Sequence, residues 1–178
     1  MSKIFIRGGV LSNIYHWKHP EVPTEDIPYW YRRSILKEFW HLLRKWICQV
    51  WAPNCVLTPV RISLYRLCGF KIGTGGFIGM KCYLDDLCTD KIVIGNNVTI
   101  SYGVYFACHG KNQEHNHIDI RDGAYIGMRA SIIARHDVVI GENAVIGAMT
   151  LVNKSVAADT TVVGVPGKPL NVKEIHQL

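Results

Sequence analysis

Three of the chain's eight histidines, His109, His115 and His117, lie close together in one polar segment. A neutral imidazole can accept a proton from a hydroxyl near pH 7, so each of them suits general-base catalysis. Three imidazoles around an open coordination position would instead form a catalytic zinc site. The residue types alone do not distinguish general-base catalysis from a zinc site. The choice depends on how the rest of the structure positions this segment.

The histidine segment interrupts a six-residue repeat. An aliphatic residue, usually followed by Gly, recurs every six positions in four stretches that begin at Ile72, Ile94, Ile120 and Ile140. This period is typical of a β-helix, whereas an α-helix would scatter these aliphatic residues around its axis. The sequence therefore predicts a parallel β-helix over about residues 70–163, with three six-residue repeats in each coil.

Departures from an 18-residue coil locate insertions in this β-helix. The first two stretches begin 22 residues apart, the second and third 26, and the third and fourth 20. From Ile140 to Ala158 the interval is 18, which predicts an uninterrupted last coil. The largest excess falls within residues 106–118, the segment with the three histidines. Loops on a rigid scaffold are common places for catalysis.

Basic residues are concentrated in the first part of the chain. Residues 1–70 contain ten Lys and Arg against four Asp and Glu, and residues 71–178 contain ten of each, so the first part accounts for the net charge of +6. Within it, apolar residues follow helical spacing in a candidate helix over residues 30–51, which Pro53 is expected to end.

Two interpretations of this helix stay open. Its apolar face packs on the β-helix or across an oligomer interface, or the Trp-rich basic helix lies on an anionic membrane surface. We do not expect a nucleic-acid partner, because no recognisable nucleic-acid-binding motif accompanies the charge. Without a long apolar segment or a signal-peptide pattern, we expect a cytoplasmic protein or one at the inner face of the membrane, with six reduced cysteines.

The repeats resemble those of the left-handed β-helix, hexapeptide-repeat acyltransferases, which include galactoside, maltose, serine and polysaccharide O-acetyltransferases. The matching text is Ile94-Gly-Asn-Asn-Val-Thr-Ile, the histidine loop, Ile140-Gly-Glu-Asn-Ala-Val-Ile-Gly-Ala, Val152-Asn-Lys-Ser-Val and Val163-Gly-Val-Pro-Gly-Lys-Pro. The resemblance implies an all-β core with an N-terminal helical extension over 1–69 and an acyltransferase domain over 70–178. It also implies a homotrimer that uses acetyl-CoA and requires no metal.

The same resemblance suggests roles for individual residues. His109 stands at the position of the family's catalytic base, and Asp86 matches a carboxylate that contacts the sugar in galactoside and maltose enzymes. His115 and His117 are candidates for the acceptor pocket. The positions that match the family's CoA contacts are Tyr125, Met128, Ala148, Asn153, Lys154 and Lys168. Ile78 replaces a sugar-binding Asn of those enzymes, which argues against an identical substrate.

Three functions from different classes remain. The first is acetyl-CoA-dependent O-acetyl transfer to a saccharide or saccharide precursor, of the capsule, exopolysaccharide or O-antigen type, with His109 as base. The second is a metal-dependent hydratase of the γ-carbonic-anhydrase kind, in which His115 and His117 bind the metal with His109 or His136. The third is a non-catalytic scaffold. The Gly-Val-Pro-Gly-Lys ending and the Lys154 region favour the acetyltransferase.

Two further residues near these candidates are assigned less active roles. Cys108 precedes His109, but adjacent residues of an extended strand point to opposite faces, so we expect Cys108 to face the interior rather than act as a nucleophile. His136 belongs to the two-residue excess before the last coil, and we expect it at the surface.

Overall fold

The structure is a computed structural model that describes residues 9–32, 35–109 and 115–170 of the 178-residue chain. Its contacts divide the chain into two compact units, residues 1–44 and 45–178. The functional boundary between residues 69 and 70 stays a prediction. The helical elements are α1 (Gly9–Lys18), a 3₁₀ turn (Tyr29–Arg32), α2 (Ile35–Trp46), a π-helical turn (Ile47–Trp51), α3 (Ala52–Asn54) and α4 (Thr58–Leu67). None of the helices in these described ranges is long and apolar enough to cross a membrane.

In the first unit, α1 is held to the 3₁₀ turn. The buried Ser12 Oγ donates a hydrogen bond to Tyr31 O at 2.7 Å, and the Tyr15 and Tyr31 rings pack 4.6 Å apart. Arg32 Nε donates to Ile27 O at 2.7 Å, which fixes the chain just before this turn. Side-chain contacts therefore stabilise the segment between α1 and the 3₁₀ turn, where three prolines prevent regular secondary structure.

The predicted helix over 30–51 is present, but its ends differ from the prediction. Within residues 30–51 the regular α-helical part is α2, and the π-helical turn joins α2 to α3. Pro53 does not end the helical path, because it lies in the first turn of α3, where its missing N–H breaks no helical hydrogen bond. Residues 33 and 34 lie outside the described residues.

Helix α4 covers the N-terminal end of the β-helix. Arg61 is buried, and its Nε donates to Ile78 O at 2.7 Å. The buried Tyr65 hydroxyl donates to Cys82 O at 3.1 Å, and burial raises the pKa of Tyr65 above its ordinary range. Terminal caps of this kind protect the open end of a stacked core.

Fourteen short strands make up the β-helix in the described residues. They are β1 (Lys71–Ile72), β2 (Phe77–Ile78), β3 (Tyr83–Leu84), β4 (Ile92–Ile94), β5 (Thr99–Ile100), β6 (Tyr105–Ala107), β7 (Ile118–Ile120), β8 (Tyr125–Ile126), β9 (Ser131–Ile133), β10 (Val138–Ile140), β11 (Val145–Ile146), β12 (Leu151–Val152), β13 (Thr161–Val163) and β14 (Lys168–Pro169).

These strands stack into three parallel sheets that the chain visits in turn. Sheet A has the order β1-β4-β7-β10, sheet C has β3-β6-β9-β12, and sheet B has β2-β5-β8-β11-β13 with β14 added antiparallel. Each sheet contributes buried apolar side chains to the interior, two from each of the longer sheet A strands, such as Ile92 and Ile94 of β4. In sheet B, Ile78, Ile100, Ile126 and Ile146 stack in a column and are almost fully buried. The predicted β-helix is confirmed.

Close approach of successive coils explains the aliphatic-Gly pairs. A Cβ on Gly127 would lie 2.6 Å from the backbone nitrogen of Ala148 in the next coil, which is too close for any side chain. Two residues further along such corners, the backbone turns into the left-handed region, with φ of 54° at Asn97 and 72° at Gly123. Asn and Gly adopt this conformation at lower cost than most residues.

All departures from the 18-residue coil occur where sheet C passes to sheet A. The A-to-B and B-to-C steps keep six residues throughout, as Ile94, Ile100 and Phe106 illustrate. The prediction of an uninterrupted 18-residue last coil was wrong. Ile140 pairs with Val156 rather than Ala158, since the link after β12 is two residues shorter than a full repeat.

Candidate active site

Three inserted loops lie one above another on a single edge of the β-helix, which we call the insertion corner. They are residues 85–91, 108–117 and 134–137, and each joins a strand of sheet C to a strand of sheet A. Successive coils are about 4.8 Å apart, so side chains of neighbouring loops can touch. Of the middle loop, residues 110–114 lie outside the described residues.

A buried carboxylate orients His109 at this corner. Asp85 is fully buried, and its Oδ2 lies 2.5 Å from His109 Nδ1 and accepts the Cys108 backbone N–H at 3.0 Å. Its Oδ1 accepts the Leu87 N–H at 3.2 Å. An ionised carboxylate can only accept, so Nδ1 of a neutral His109 bears the proton and Nε2 bears the lone pair. The His109 side chain is 39% exposed.

Sequence reasoning selected Asp86 and missed Asp85. Asp86 is buried, and its Oδ1 accepts a hydrogen bond from Gln49 Nε2 at 2.8 Å, which ties the π-helical turn to the first coil. Contact between Asp86 and an acceptor stays a prediction. The signal for Asp85 was the 22-residue register, which pairs Leu84 with Phe106 and so puts Asp85 beside the start of the histidine loop.

His115 lies opposite His109 and contacts a thiol. The two histidines form an antiparallel backbone bridge, and His115 Nδ1 lies 2.7 Å from Cys88 Sγ. Burial, together with the nearby Asp85 carboxylate, raises the pKa of Cys88 to about 11. The thiol therefore keeps its proton at neutral pH and donates to Nδ1, so that neutral His115 presents an N–H at Nε2. The corner thus combines one acceptor nitrogen with one donor nitrogen.

Cys108 has no nucleophilic character in this arrangement. It is fully buried, as the strand alternation predicted, and burial raises the pKa of its thiol well above the ordinary value. Thiols react as thiolates, so a buried thiol that holds its proton is a poor nucleophile.

The remaining histidines of the corner are exposed. His117 Nε2 accepts from Lys91 Nζ at 3.2 Å, and the His117 backbone N–H donates to Asp137 Oδ1 at 2.8 Å. His136 lies at the surface in the 134–137 loop, as predicted. Among residues 9–32, 35–109 and 115–170, no three His, Cys, Asp or Glu side chains are arranged to hold a metal ion. The hydratase alternative therefore has no ligand set in this part of the chain.

The predicted cofactor residues fall on two edges of one chain. Tyr125 lies on the outer face of sheet B, with its hydroxyl 3.2 Å from Ser101 Oγ, and Met128 and Ala148 lie at the B-to-C corners of two successive coils. Asn153 lies instead in the C-to-A link after β12. A single chain does not bring all of these residues together.

A cavity of about 430 Å³ lies at the C-terminal end of the coil stack. Asn153 and Lys154 line it, together with Gly167 and Pro169, the two neighbours of Lys168. Valines from the last coil make much of the remaining lining. The cavity therefore combines a largely apolar lining with the exposed cation of Lys154, a combination that suits an apolar chain ending in phosphates.

No protein-family model matches the chain. Over 101 residues it is 40% identical to serine acetyltransferase of Staphylococcus aureus strain Mu50, which covers 56% of this chain and 45% of that enzyme. A serine acetyltransferase of Staphylococcus epidermidis is 41% identical over the same length. The chain thus spans less than half the length of these relatives.

Two solved structures share the fold over most of both chains. A hexapeptide-repeat-containing acetyltransferase of Vibrio cholerae has a TM-score of 0.59 and 22% identity, and covers 75% of this chain and 90% of its own. A maltose O-acetyltransferase of Clostridium difficile 630 has a TM-score of 0.55 and 21% identity, with 77% and 88% covered. These likenesses confirm the predicted left-handed β-helix with a helical N-terminal part.

Proposed function

We propose that this chain, which belongs to the hexapeptide-repeat, left-handed β-helix acetyltransferase family, transfers an acetyl group from acetyl-CoA to a hydroxyl. The observation that carries the proposal is the pair formed by buried Asp85 and half-exposed His109 at the insertion corner. This pair supplies an oriented base whose accepting nitrogen is accessible. O-acetyl transfer requires such a base, whereas a histidine with a purely structural role needs no accessible accepting nitrogen.

In the proposed mechanism His109 carries out the proton transfers. Its Nε2 accepts the hydroxyl proton as the acceptor oxygen adds to the thioester carbonyl, and Asp85 stabilises the resulting imidazolium through Nδ1–H. His115 presents its Nε2–H from the facing backbone position, where it can donate to the acceptor or to the oxygen that becomes negative. His109 then returns the proton to the departing sulfur. The acetyl group thus passes directly from the sulfur of CoA to the acceptor oxygen, with no covalent enzyme intermediate.

We place the donor site at the C-terminal cavity and at the exposed edge of the β-helix next to it. Lys154 and Lys168 are exposed cations that suit the phosphates of CoA, and the apolar lining suits its pantetheine arm. The choice of acetyl-CoA as donor is supported by a protein of similar fold, since the Vibrio cholerae acetyltransferase has also been solved in complex with acetyl coenzyme A. When bound, the thioester supplies an activated acetyl group.

A homotrimer would complete this site. Met128 and Asn153 lie at different corners of one chain, so a donor that contacts both must lie between two copies. Exposed apolar side chains at the B-to-C corner also suit contact with a neighbour. They include Tyr102, Met128 and Met149. Each donor site would then combine the B-to-C corner of one copy with the insertion corner of the next.

The acceptor proposed first is a saccharide or saccharide precursor, because Asp86 matches the carboxylate that contacts the sugar in galactoside and maltose acetyltransferases. The second candidate is L-serine, and it is favoured by the 40% identity to serine acetyltransferases over 101 aligned residues. Both offer a primary or secondary hydroxyl to His109, so the proposed chemistry is the same.

A direct test incubates the purified protein with acetyl-CoA labelled in the acetyl group. The acceptor panel contains L-serine, free sugars, nucleotide sugars and lipid-linked saccharides, and mass spectrometry identifies the acetylated product. Label on a saccharide hydroxyl supports the first candidate, and label on serine supports the second. If acetyl-CoA neither binds nor loses its acetyl group with any member, the proposed activity is wrong.

A further inference from the structure

Helix α2 presents an exposed apolar surface that the proposed chemistry does not use. Leu36, Phe39, Trp40 and Leu42 occupy one side of the helix and are between 45% and 80% exposed. We call these four residues the α2 face. Scattered apolar side chains are ordinary on protein surfaces, but a contiguous set with two aromatic rings is a binding surface by default.

The side of α2 opposite this apolar face is basic. Residues 32–51 contain five Lys and Arg against one Glu, a net charge of 5 − 1 = +4. Lys37 and Lys45 are exposed and lie on the opposite side of α2. The helix therefore combines an apolar side that includes Trp and Phe with a basic side, and this is the pattern of helices that lie in the plane of a membrane surface.

We propose that the α2 face inserts into the surface of an anionic lipid bilayer, with the lysines directed to the headgroups. Phosphate headgroups neutralise the basic side, whereas a second copy of this helix would bring like charges together. Long lysine side chains can also extend from a partly inserted helix to the charged layer. The protein would then associate with a membrane without spanning it.

The tryptophans make this binding directly measurable. All five, Trp17, Trp30, Trp40, Trp46 and Trp51, lie within the first 51 residues, so their fluorescence reports on this part of the chain alone. The test sediments the full-length protein with vesicles of phosphatidylcholine alone and of phosphatidylcholine with about one third phosphatidylglycerol. It also records the fluorescence spectrum in each case. Neither readout needs acyl transfer, so the result is independent of the proposed activity.

We expect binding to the anionic vesicles with a blue shift of the emission, weaker binding in high salt, and little binding to phosphatidylcholine alone. Phe39→Ser combined with Leu42→Ser should abolish sedimentation. Changing Lys37 and Lys45 together to Glu should weaken binding about tenfold or more. Exposed residues outside the helix serve as controls. Leu67→Ser and Lys71→Glu should bind like the wild type.

Three results would overturn the proposal. The protein does not sediment with either vesicle, the α2 variants sediment as well as the wild type, or the apolar variants change the oligomeric mass without changing vesicle binding. The last result would assign the face to contact between copies. Circular dichroism confirms that each variant is folded, and the lysine variant decides the question if the apolar variant does not fold.

Discussion

At the scale of single residues, Asp85 defines which nitrogen of His109 can act as the base. Its buried carboxylate accepts three hydrogen bonds from the inserted loops and their flanks, so it holds both the ring and the backbone that bears it. A carboxylate in this position keeps the accepting nitrogen directed to solvent. In the proposed mechanism it also compensates the positive charge that His109 would gain during proton transfer.

Asp85→Asn should therefore lower kcat by up to about 10²–10⁴-fold, since an amide can hold the wrong tautomer and offers no charge. The KM for acetyl-CoA should change little, and Asp85→Glu should restore part of the rate. Steady-state kinetics measure both constants. Asp86→Asn is the matched control, because it should act on acceptor KM instead. Equal losses of kcat in the two variants would contradict the assigned role of Asp85.

Cys88 predicts a loss of stability in alkali. Its pKa is about 11 in the folded protein against an ordinary value of 9.0, so the protonated thiol is favoured by folding. This contribution is complete below pH 9 and is lost as the pH rises from about 9 to about 11. Thermal unfolding between pH 8 and 11 should show a shallower decline for Cys88→Ser than for the wild type. Parallel curves would mean that Cys88 does not titrate as described.

At the scale of elements, the repeat predicted much of the fold because its period is a direct consequence of stacked coils. Ile94 and Ile120 pair as the spacing indicated, and the inserted histidine loop lies where the excess was largest. Two features depend on contacts between coils, and the sequence analysis did not predict them. Ile140 pairs with Val156 because the last link is short, and Asp85 reaches His109 because two insertions share a corner.

The stacked core predicts a large penalty for a cavity in a middle coil. Ile126 is fully buried between Ile100 and Ile146, so Ile126→Ala should cost about 2–5 kcal/mol of unfolding free energy. Val145→Ala, on the half-buried outer side of a neighbouring strand, should cost clearly less. Denaturant unfolding measures both. Similar losses would show that the isoleucine column does not form the core.

At the scale of the whole molecule, the residues predicted to bind acetyl-CoA lie on two different edges of the β-helix. The resemblance supplied Tyr125, Met128 and Asn153, but nothing in their spacing showed that they lie on different edges of one chain. A single chain of 20.1 kDa therefore has parts of two half-sites in our proposal.

The shared site predicts an oligomer, and the family resemblance predicts that this oligomer is a trimer. Light scattering should give about three times the mass of the 20.1 kDa chain, and acetyl-CoA should bind tightly only to that species. Met128→Glu places a charge at the exposed B-to-C corner and should lower both the mass and the affinity. A monomer that binds acetyl-CoA and transfers acetyl groups at full rate would contradict a site between copies.

The central claim is that His109 is the general base of acetyl transfer, and one comparison of variants tests it most directly. Single-turnover kinetics with acetyl-CoA and the acceptor identified by the screen should show a loss of about 10²–10⁴-fold for His109→Ala. Titration should show acetyl-CoA affinity within about twofold of the wild type, because the base does not hold the donor. His136→Ala removes an exposed histidine from the adjacent inserted loop and should leave the rate unchanged. A His109→Ala protein as fast as His136→Ala would contradict the account.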